Sequence, residues 1–370
     1  ELGIACEACH GPGGEHARAN ADPSRRYALH LAGRADPTIV NPSRLPPARA
    51  ADVCGRCHGQ RITADVAPFL AHGDPFVAGD DLGRYSAPLR RDTPLRGDAT
   101  AFAARFWDDG TPRLTAYEYQ GLLQSACAQK GSLTCIACHG MHEGDPRGQI
   151  RARFAGAARA GSADGPAVND RMCTGCHAPL AAPAAVAAHT HHDPAGAGAR
   201  CVGCHMPRVV YGVLDVHPSH RIEIPKPGRT DGRLDGCTIC HVGGVPGGRA
   251  GANAMTAALA GDPLARAVAV DALGREAADP QERARRLGTL LAVMADDHYP
   301  AVRHIAWRSL RRLVAPAAEA GTGLAADYDP SADAAARAEA VARLRRALGS
   351  AVVAVDRPAG VADADLEIGE

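Results

Sequence analysis

Twelve of the thirteen cysteines stand in six Cys-x-x-Cys pairs, and a His follows every pair at once. The runs are Cys6-Glu-Ala-Cys9-His10, Cys54-Gly-Arg-Cys57-His58, Cys135-Ile-Ala-Cys138-His139, Cys173-Thr-Gly-Cys176-His177, Cys201-Val-Gly-Cys204-His205 and Cys237-Thr-Ile-Cys240-His241. This spacing reads as covalent attachment of heme c, six in the chain. The two thiols add across the vinyl groups as thioethers, and the adjacent His is held beneath the iron as its proximal ligand. Paired Cys-x-x-Cys units also build four-cysteine zinc sites, but zinc does not require a His directly after the second Cys. Disulfides are disfavoured because each heme consumes both thiols of its pair. Cys127 is left over, in a stretch of helical spacing, and reads as a buried small hydrophobe, with a reactive thiol or an intermolecular bridge as the alternative.

Fourteen aromatic residues (5 Phe, 7 Tyr, 2 Trp) are few for 370 residues, and the expectation is that porphyrins supply the apolar surface that side chains lack. The chain has no apolar run of about 18 residues, the length that a spanning helix needs. Basic and acidic residues balance at 41 each, and Lys130 and Lys226 are the only lysines. No polybasic segment points to nucleic acid or to an anionic membrane surface. Two propionates per heme would make the loaded chain acidic, with the scattered arginines as bidentate partners. The first residue is Glu1, with no initiator Met and no signal region, as expected of a processed product or a fragment.

Eleven His remain beyond the six proximal ones. An iron with His on both sides suits electron transfer, and an open distal side permits substrate binding, so the supply of His is diagnostic. His142 lies three residues after proximal His139, on the wrong side to reach the distal face of that same heme. It is expected to ligate a neighbouring one. His16, six residues after His10, invites the same argument, and such cross-ligation packs hemes closely. The clusters His189-Thr-His191-His192 and His217-Pro-Ser-His220 each offer at least one ligand. His30 and His72 stand alone, with His72 kept as a distal candidate. Met141 and Met206 flank proximal His residues and cannot easily turn onto an iron.

The expected fold class is mainly α, in three parts. Residues 1–248 form an irregular multiheme cytochrome c domain of short helices and long loops. Its clearest regular element is expected over 116–129, and Pro- and Gly-rich segments such as 45–47 and 155–166 separate its motifs. Residues 249–349 form an α-helical, HEAT-like repeat region, and 350–370 form an acidic, partly disordered tail. In the second part Ala, Leu and Arg recur at helical spacing. Helices are expected near 252–260, 263–277, 280–296, 300–315 and 331–348, several opening on a first-turn Pro. Pro263, Arg266, Ala269 and Leu273 recur 37 residues later as Pro300, Arg303, Ala306 and Leu310, a helical-repeat signature, with an ordinary helical bundle capping the heme domain as the alternative to a partner-binding solenoid. Val302, Ile305, Ala306, Leu310 and Leu313 read as one apolar stripe, with Arg303, Arg308, Arg311 and Arg312 outside it.

With these residues in view, residues 1–245 resemble the multiheme cytochromes c of the nitrite reductase and hydroxylamine oxidoreductase group. More narrowly they resemble octaheme cytochromes that carry a C-terminal HEAT-like region. The resemblance rests on Gly3-Ile-Ala-Cys6-Glu-Ala-Cys9-His10-Gly-Pro-Gly-Gly-Glu-His16, on Tyr117-Glu-Tyr119-Gln-Gly ahead of Leu133-Thr-Cys135, on His189-Thr-His191-His192 before Cys201-Val-Gly-Cys204-His205-Met-Pro207, and on His220-Arg-Ile-Glu-Ile-Pro225. It implies distal ligation by His16, His142, His220 and one or both of His189 and His192. It also implies an upstream segment with two further motifs, or another chain in its place. The sequence departs from the group's enzymes, since no Cys-x-x-Cys-Lys occurs, and Tyr117 and Tyr119 are candidates for a heme-linked tyrosine only in that they precede a motif.

The functional expectation is an electron carrier with closely packed, mostly bis-His hemes. It would pass electrons between redox partner proteins or neighbouring cytochrome subunits, in a homo- or hetero-oligomer or along a filament. The alternative is an oxidoreductase acting on a small nitrogen or sulfur oxyanion at one five-coordinate heme. A third reading, compatible with the first, makes the helical region a docking scaffold. Covalent heme attachment implies export, to the periplasm or beyond the cell.

Overall fold

The computed structural model describes residues 4–113, 117–143, 149–156, 169–212, 215–229, 231–245, 253–275, 277, 279–318 and 328–358. Helices dominate, and the strands among the described residues form two two-stranded antiparallel pairs, Arg61–Thr63 with Ser86–Pro88 and Arg208–Tyr211 with Asp215–Pro218. The fold is mainly α. Two compact units divide the chain: residues 1–93, 116–153 and 220–222, and residues 94–115, 154–219 and 223–370. The first holds motifs one to three and the second holds motifs four to six. The change of composition near 249 lies inside the second unit, among residues outside those described, as do the segment 157–168 and the end of the tail, 359–370.

Each motif is one turn of helix. The amide of the motif His bonds back to the carbonyl of the first Cys at 2.8 Å for His58, 2.9 Å for His139, 3.0 Å for His177 and 2.8 Å for His241. His10 and His205 end the short helices Cys6–His10 and Cys201–His205. Residues three apart on a helical turn face the same way, so each turn presents both thiols to one side.

In the first unit the helices Pro47–Gly55 and Glu118–Gln124 pack together. The Tyr119 hydroxyl donates to Asp52 Oδ1 at 2.6 Å, and the Tyr119 amide donates to the His58 carbonyl at 2.9 Å. Gly55, inside the second motif, is required here: a Cβ would lie 2.5 Å from the Tyr119 ring. The side-chain core is small, comprising Ala51, Phe76, Leu82, Tyr119 and Leu122. The helix expected over 116–129 is instead two, Glu118–Gln124 and Ala126–Gln129, broken at Ser125. Ser125 is extended, and its buried hydroxyl donates to the Leu122 carbonyl and accepts from the Ala128 amide. Serine caps a new helix more readily than it continues an old one.

Among the described residues of the second unit, five α-helices follow the last motif: Ala254–Ala260, Pro263–Leu273, Pro280–Asp296, Pro300–Ala318 and Ala334–Leu348. Their starts are written in the sequence. Asn253, Asp262, Asp279 and Asp333 each accept amides of the first turn, which is the N-cap role. The second helix ends at Leu273 rather than 277, where Gly274 packs so closely on Ser309 that a Cβ would approach it at 2.5 Å. The apolar stripe Val302, Ile305, Ala306, Leu310 and Leu313 is buried. Arg303 is buried too, at 4 % exposure, although helical spacing placed it outside. Its guanidinium turns back to the carbonyls of Asp297 and Pro330. Arg266 does the same with the Gly261 carbonyl, at 2.8 Å, and Arg337 with the Ala332 carbonyl, at 2.6 Å. An arginine in the fourth position of three helices thus braces the turn before each one. Arg266 also meets the fully buried Asp297 at 2.7 Å.

The helices share their core with the last motif. Ile239 and Val242 are buried together with Ala254, Leu264, Val268 and Leu310, and the Met255 amide donates to the Val242 carbonyl at 3.1 Å. Residues 352–358 return along the helix Pro280–Asp296. There the Val353 amide bonds to the Ala284 carbonyl at 3.2 Å, and Arg357 donates to the carbonyls of Leu259 and Asp296.

Candidate functional site

Four of the six motif histidines face a second histidine from elsewhere in the chain. In the first unit His10 faces His142, with ring centroids 5.9 Å apart and planes at 10°, and His139 faces His220 at 6.1 Å and 25°. In the second unit His205 faces His189 at 6.1 Å and 9°, and His241 faces His192 at 6.0 Å and 36°. Every pair joins one motif His to one non-motif His.

The spacing has a simple chemical meaning. A metal–imidazole bond is about 2 Å, and a ring of bonds near 1.35 Å puts its nitrogen about 1.1 Å from the ring centre. Two imidazoles on opposite sides of one metal therefore have centroids about 6 Å apart. The four pairs, at 5.9 to 6.1 Å, have centroid separations of that size. No group of three or more His, Cys, Asp or Glu side chains converges on a metal position among the described residues. A four-thiolate zinc centre needs such a group.

Backbone carbonyls aim several rings. His10 Nδ1 lies 2.7 Å from the Val40 carbonyl, His205 Nδ1 2.8 Å from that of Glu223, and His192 Nδ1 2.7 Å from that of Thr190. An Nδ1–H donated to a carbonyl leaves Nε2 as the free lone pair, the outer-shell arrangement of metal-binding histidines. Glu223 is fixed in turn by Arg233, whose guanidinium also meets Asp109 at 2.9 Å.

Adjacent motifs touch through their sulfurs. Cys135 is hydrogen-bonded to Cys54, and that contact together with burial pushes its thiol well above the usual range. Cys201 is raised in the same way by Cys173 and by burial. Burial pushes Cys237 up to about 11, with Asp235, Cys204 and Cys240 adding to it. Motifs five and six also meet at the backbone, where a Cβ on Gly236 would lie 2.7 Å from the Cys204 carbonyl oxygen. Within each unit the motifs form a connected series.

The remaining candidates stand apart. His16 Nδ1 is 3.2 Å from Asp36 Oδ2. Arg25 and Thr38 hold the Asp36 carboxyl far below the ordinary carboxylate range. His58, His177, His30 and His72 are exposed. Among the described residues none of these five forms a ring pair. Of the His217–His220 cluster, His220 is the paired member, and His217 sits half-buried on the strand Asp215–Pro218 with its ring 4.7 Å from that of Tyr211. Cys127 is half-buried, as is the Cys of most motifs.

The aiming carbonyls of Val40 and Glu223 carry no sequence signal, because any residue supplies one. Gly198 does. A Cβ there would lie 2.5 Å from His192 Cδ2, so a glycine soon after a His cluster marks the place where the ring is seated. No helix of the described residues is long and apolar enough to cross a membrane. Comparison of the chain with family models, curated proteins and solved structures finds no match.

Proposed function

We propose that the chain is a multiheme c-type cytochrome that carries electrons through six covalently bound hemes. The observation that carries the proposal is the set of four imidazole pairs, each with one Cys-x-x-Cys-His histidine and one distant histidine at about 6 Å. Bound heme would supply reversible one-electron Fe(III)/Fe(II) chemistry. The chain's own residues do the rest. Cys6 and Cys9, Cys54 and Cys57, Cys135 and Cys138, Cys173 and Cys176, Cys201 and Cys204, and Cys237 and Cys240 tether the six groups. His10, His58, His139, His177, His205 and His241 would be the iron ligands supplied by the motifs. His142, His220, His189 and His192 would be the second ligands of four of these groups, and an iron so held would lack the open position that substrate chemistry needs. The sulfur contacts between motifs keep neighbouring groups close.

The irregular first part then belongs to the multiheme cytochromes it resembles, with porphyrins completing a core for which the first unit has few apolar side chains. The C-terminal helices, with their repeated Pro-x-x-Arg starts, are a HEAT-like cap on motif six, and they offer a docking face for a redox partner or a neighbouring cytochrome subunit. Heme attachment places the protein in the periplasm or outside the cell. A second reading, an oxidoreductase for a small nitrogen or sulfur oxyanion, would have to use motif two or four, whose His58 and His177 lie outside the four pairs.

Intact-mass analysis of the exported protein, joined to its alkaline pyridine spectrum, tests the proposal. Six thioether-linked hemes are expected. A chain without covalent heme overturns it.

A further inference from the structure

We propose that His191 is a positioning residue whose left-handed backbone divides two neighbouring imidazoles, His189 and His192, between two different irons. The inference rests on the heme reading above. His189 lies in the last turn of the helix Pro183–Thr190. Had that helix run on, His189 and His192, three residues apart, would lie on one face and look the same way. The helix stops instead. His191 takes φ 58° and ψ 26°, and its amide closes on the Ala187 carbonyl at 2.8 Å. Beyond this point the chain reverses, so His189 meets His205 of motif five and His192 meets His241 of motif six.

The reversal is held from both sides. The Thr190 hydroxyl donates to the Val186 carbonyl at 2.9 Å and accepts the His192 amide at 3.2 Å, while the Thr190 carbonyl takes His192 Nδ1 at 2.7 Å. Gly198 leaves room for the His192 ring on the far side. A residue other than glycine with positive φ is uncommon, and for a β-branched residue it is an outlier. Only glycine, with asparagine and aspartate behind it, adopts this conformation routinely. His191 itself is exposed and makes no ring pair among the described residues. Its contribution is therefore the backbone turn. The four residues from His189 to His192 tie the irons of motifs five and six together, and Gly236 on Cys204 sets the same two motifs in backbone contact.

The test uses the exported holoprotein, with electron paramagnetic resonance of the ferric state. First, the wild-type optical spectrum must show covalent heme c. If it does not, the reading beneath the proposal fails, and the proposal fails with it. With heme present, His191→Val is expected to lose one low-spin heme per chain and gain one high-spin heme, as His192 leaves its iron. His191→Ala, a milder change should the valine variant not mature, is expected to show a mixture of the two. His191→Gly and His191→Asn, which accept the left-handed backbone, are expected to keep the wild-type spectrum. Gly198→Ala, which displaces the His192 ring directly, is expected to match His191→Val. An unchanged spectrum in both the valine and alanine variants overturns the proposal. So does equal loss in the glycine and asparagine variants, which would make the His191 imidazole itself the active group.

Discussion

The imidazoles of His189 and His205 face each other at 6.1 Å with planes 9° from parallel, and His205 Nδ1 is fixed 2.8 Å from the Glu223 carbonyl. His189 stands in the last turn of the helix Pro183–Thr190. With heme bound as proposed, His189→Met is expected to keep the heme of motif five low-spin while raising its midpoint potential, by a readable part of the about 0.8 V that axial ligation spans. His189→Ala is expected to turn the same heme high-spin. Potentiometric titration of the two variants beside the wild type checks both outcomes.

Gly288 faces the returning segment 352–358, and a Cβ there would fall 1.9 Å from the Val353 carbonyl oxygen. Backbone cannot yield as a flexible side chain can. Gly288→Ala is expected to lift that segment from its helix at a cost of about 1–3 kcal/mol, the usual range for overpacking. Thermal unfolding followed by far-ultraviolet circular dichroism would show it, with the visible heme spectrum unchanged.

Ile239 of the last motif and Val242 just after it are buried in the core of the C-terminal helices. Removing residues 253–370 would expose them. The truncated chain is expected to lose the heme of motif six while keeping those of motifs one to three, a loss read by intact mass. Retention of all six hemes would mean that the helices are a separate docking domain.

His217 is pushed down to about 4 from 6.5, first by burial and then by Arg208. Between those values the unfolded chain binds a proton that the folded chain refuses, so this contribution to stability falls as pH drops from about 6.5 to about 4. The full effect is about 3 kcal/mol. Urea titrations of the holoprotein across this window should show a shallower pH dependence for His217→Asn than for the wild type.

The local half of the site is legible in the sequence and the long-range half is not. Six Cys-x-x-Cys-His turns are set by five adjacent residues each, so their geometry follows from spacing. Which distant histidine meets which motif depends on how the chain returns. His142 lies beside His139 in sequence yet faces His10, and His220 faces His139 from 81 positions away. The turn at His191 is hidden for another reason: the residue that adopts it is not the glycine that would have announced it. Helix starts were readable from Asp and Pro caps, whereas Arg303 was misplaced because amphipathic spacing treats every arginine as outward. An arginine one turn into a helix can instead bury its stem and satisfy the carbonyls of the preceding turn.

The most direct test of the central claim is a spin count of the oxidised holoprotein by electron paramagnetic resonance. With heme bound as proposed, the four imidazole pairs predict at least four low-spin ferric hemes per chain, none of them shifted by nitrite, hydroxylamine or cyanide. Fewer than four low-spin hemes, or added ligand binding at the hemes of motifs one, three, five or six, would contradict the account.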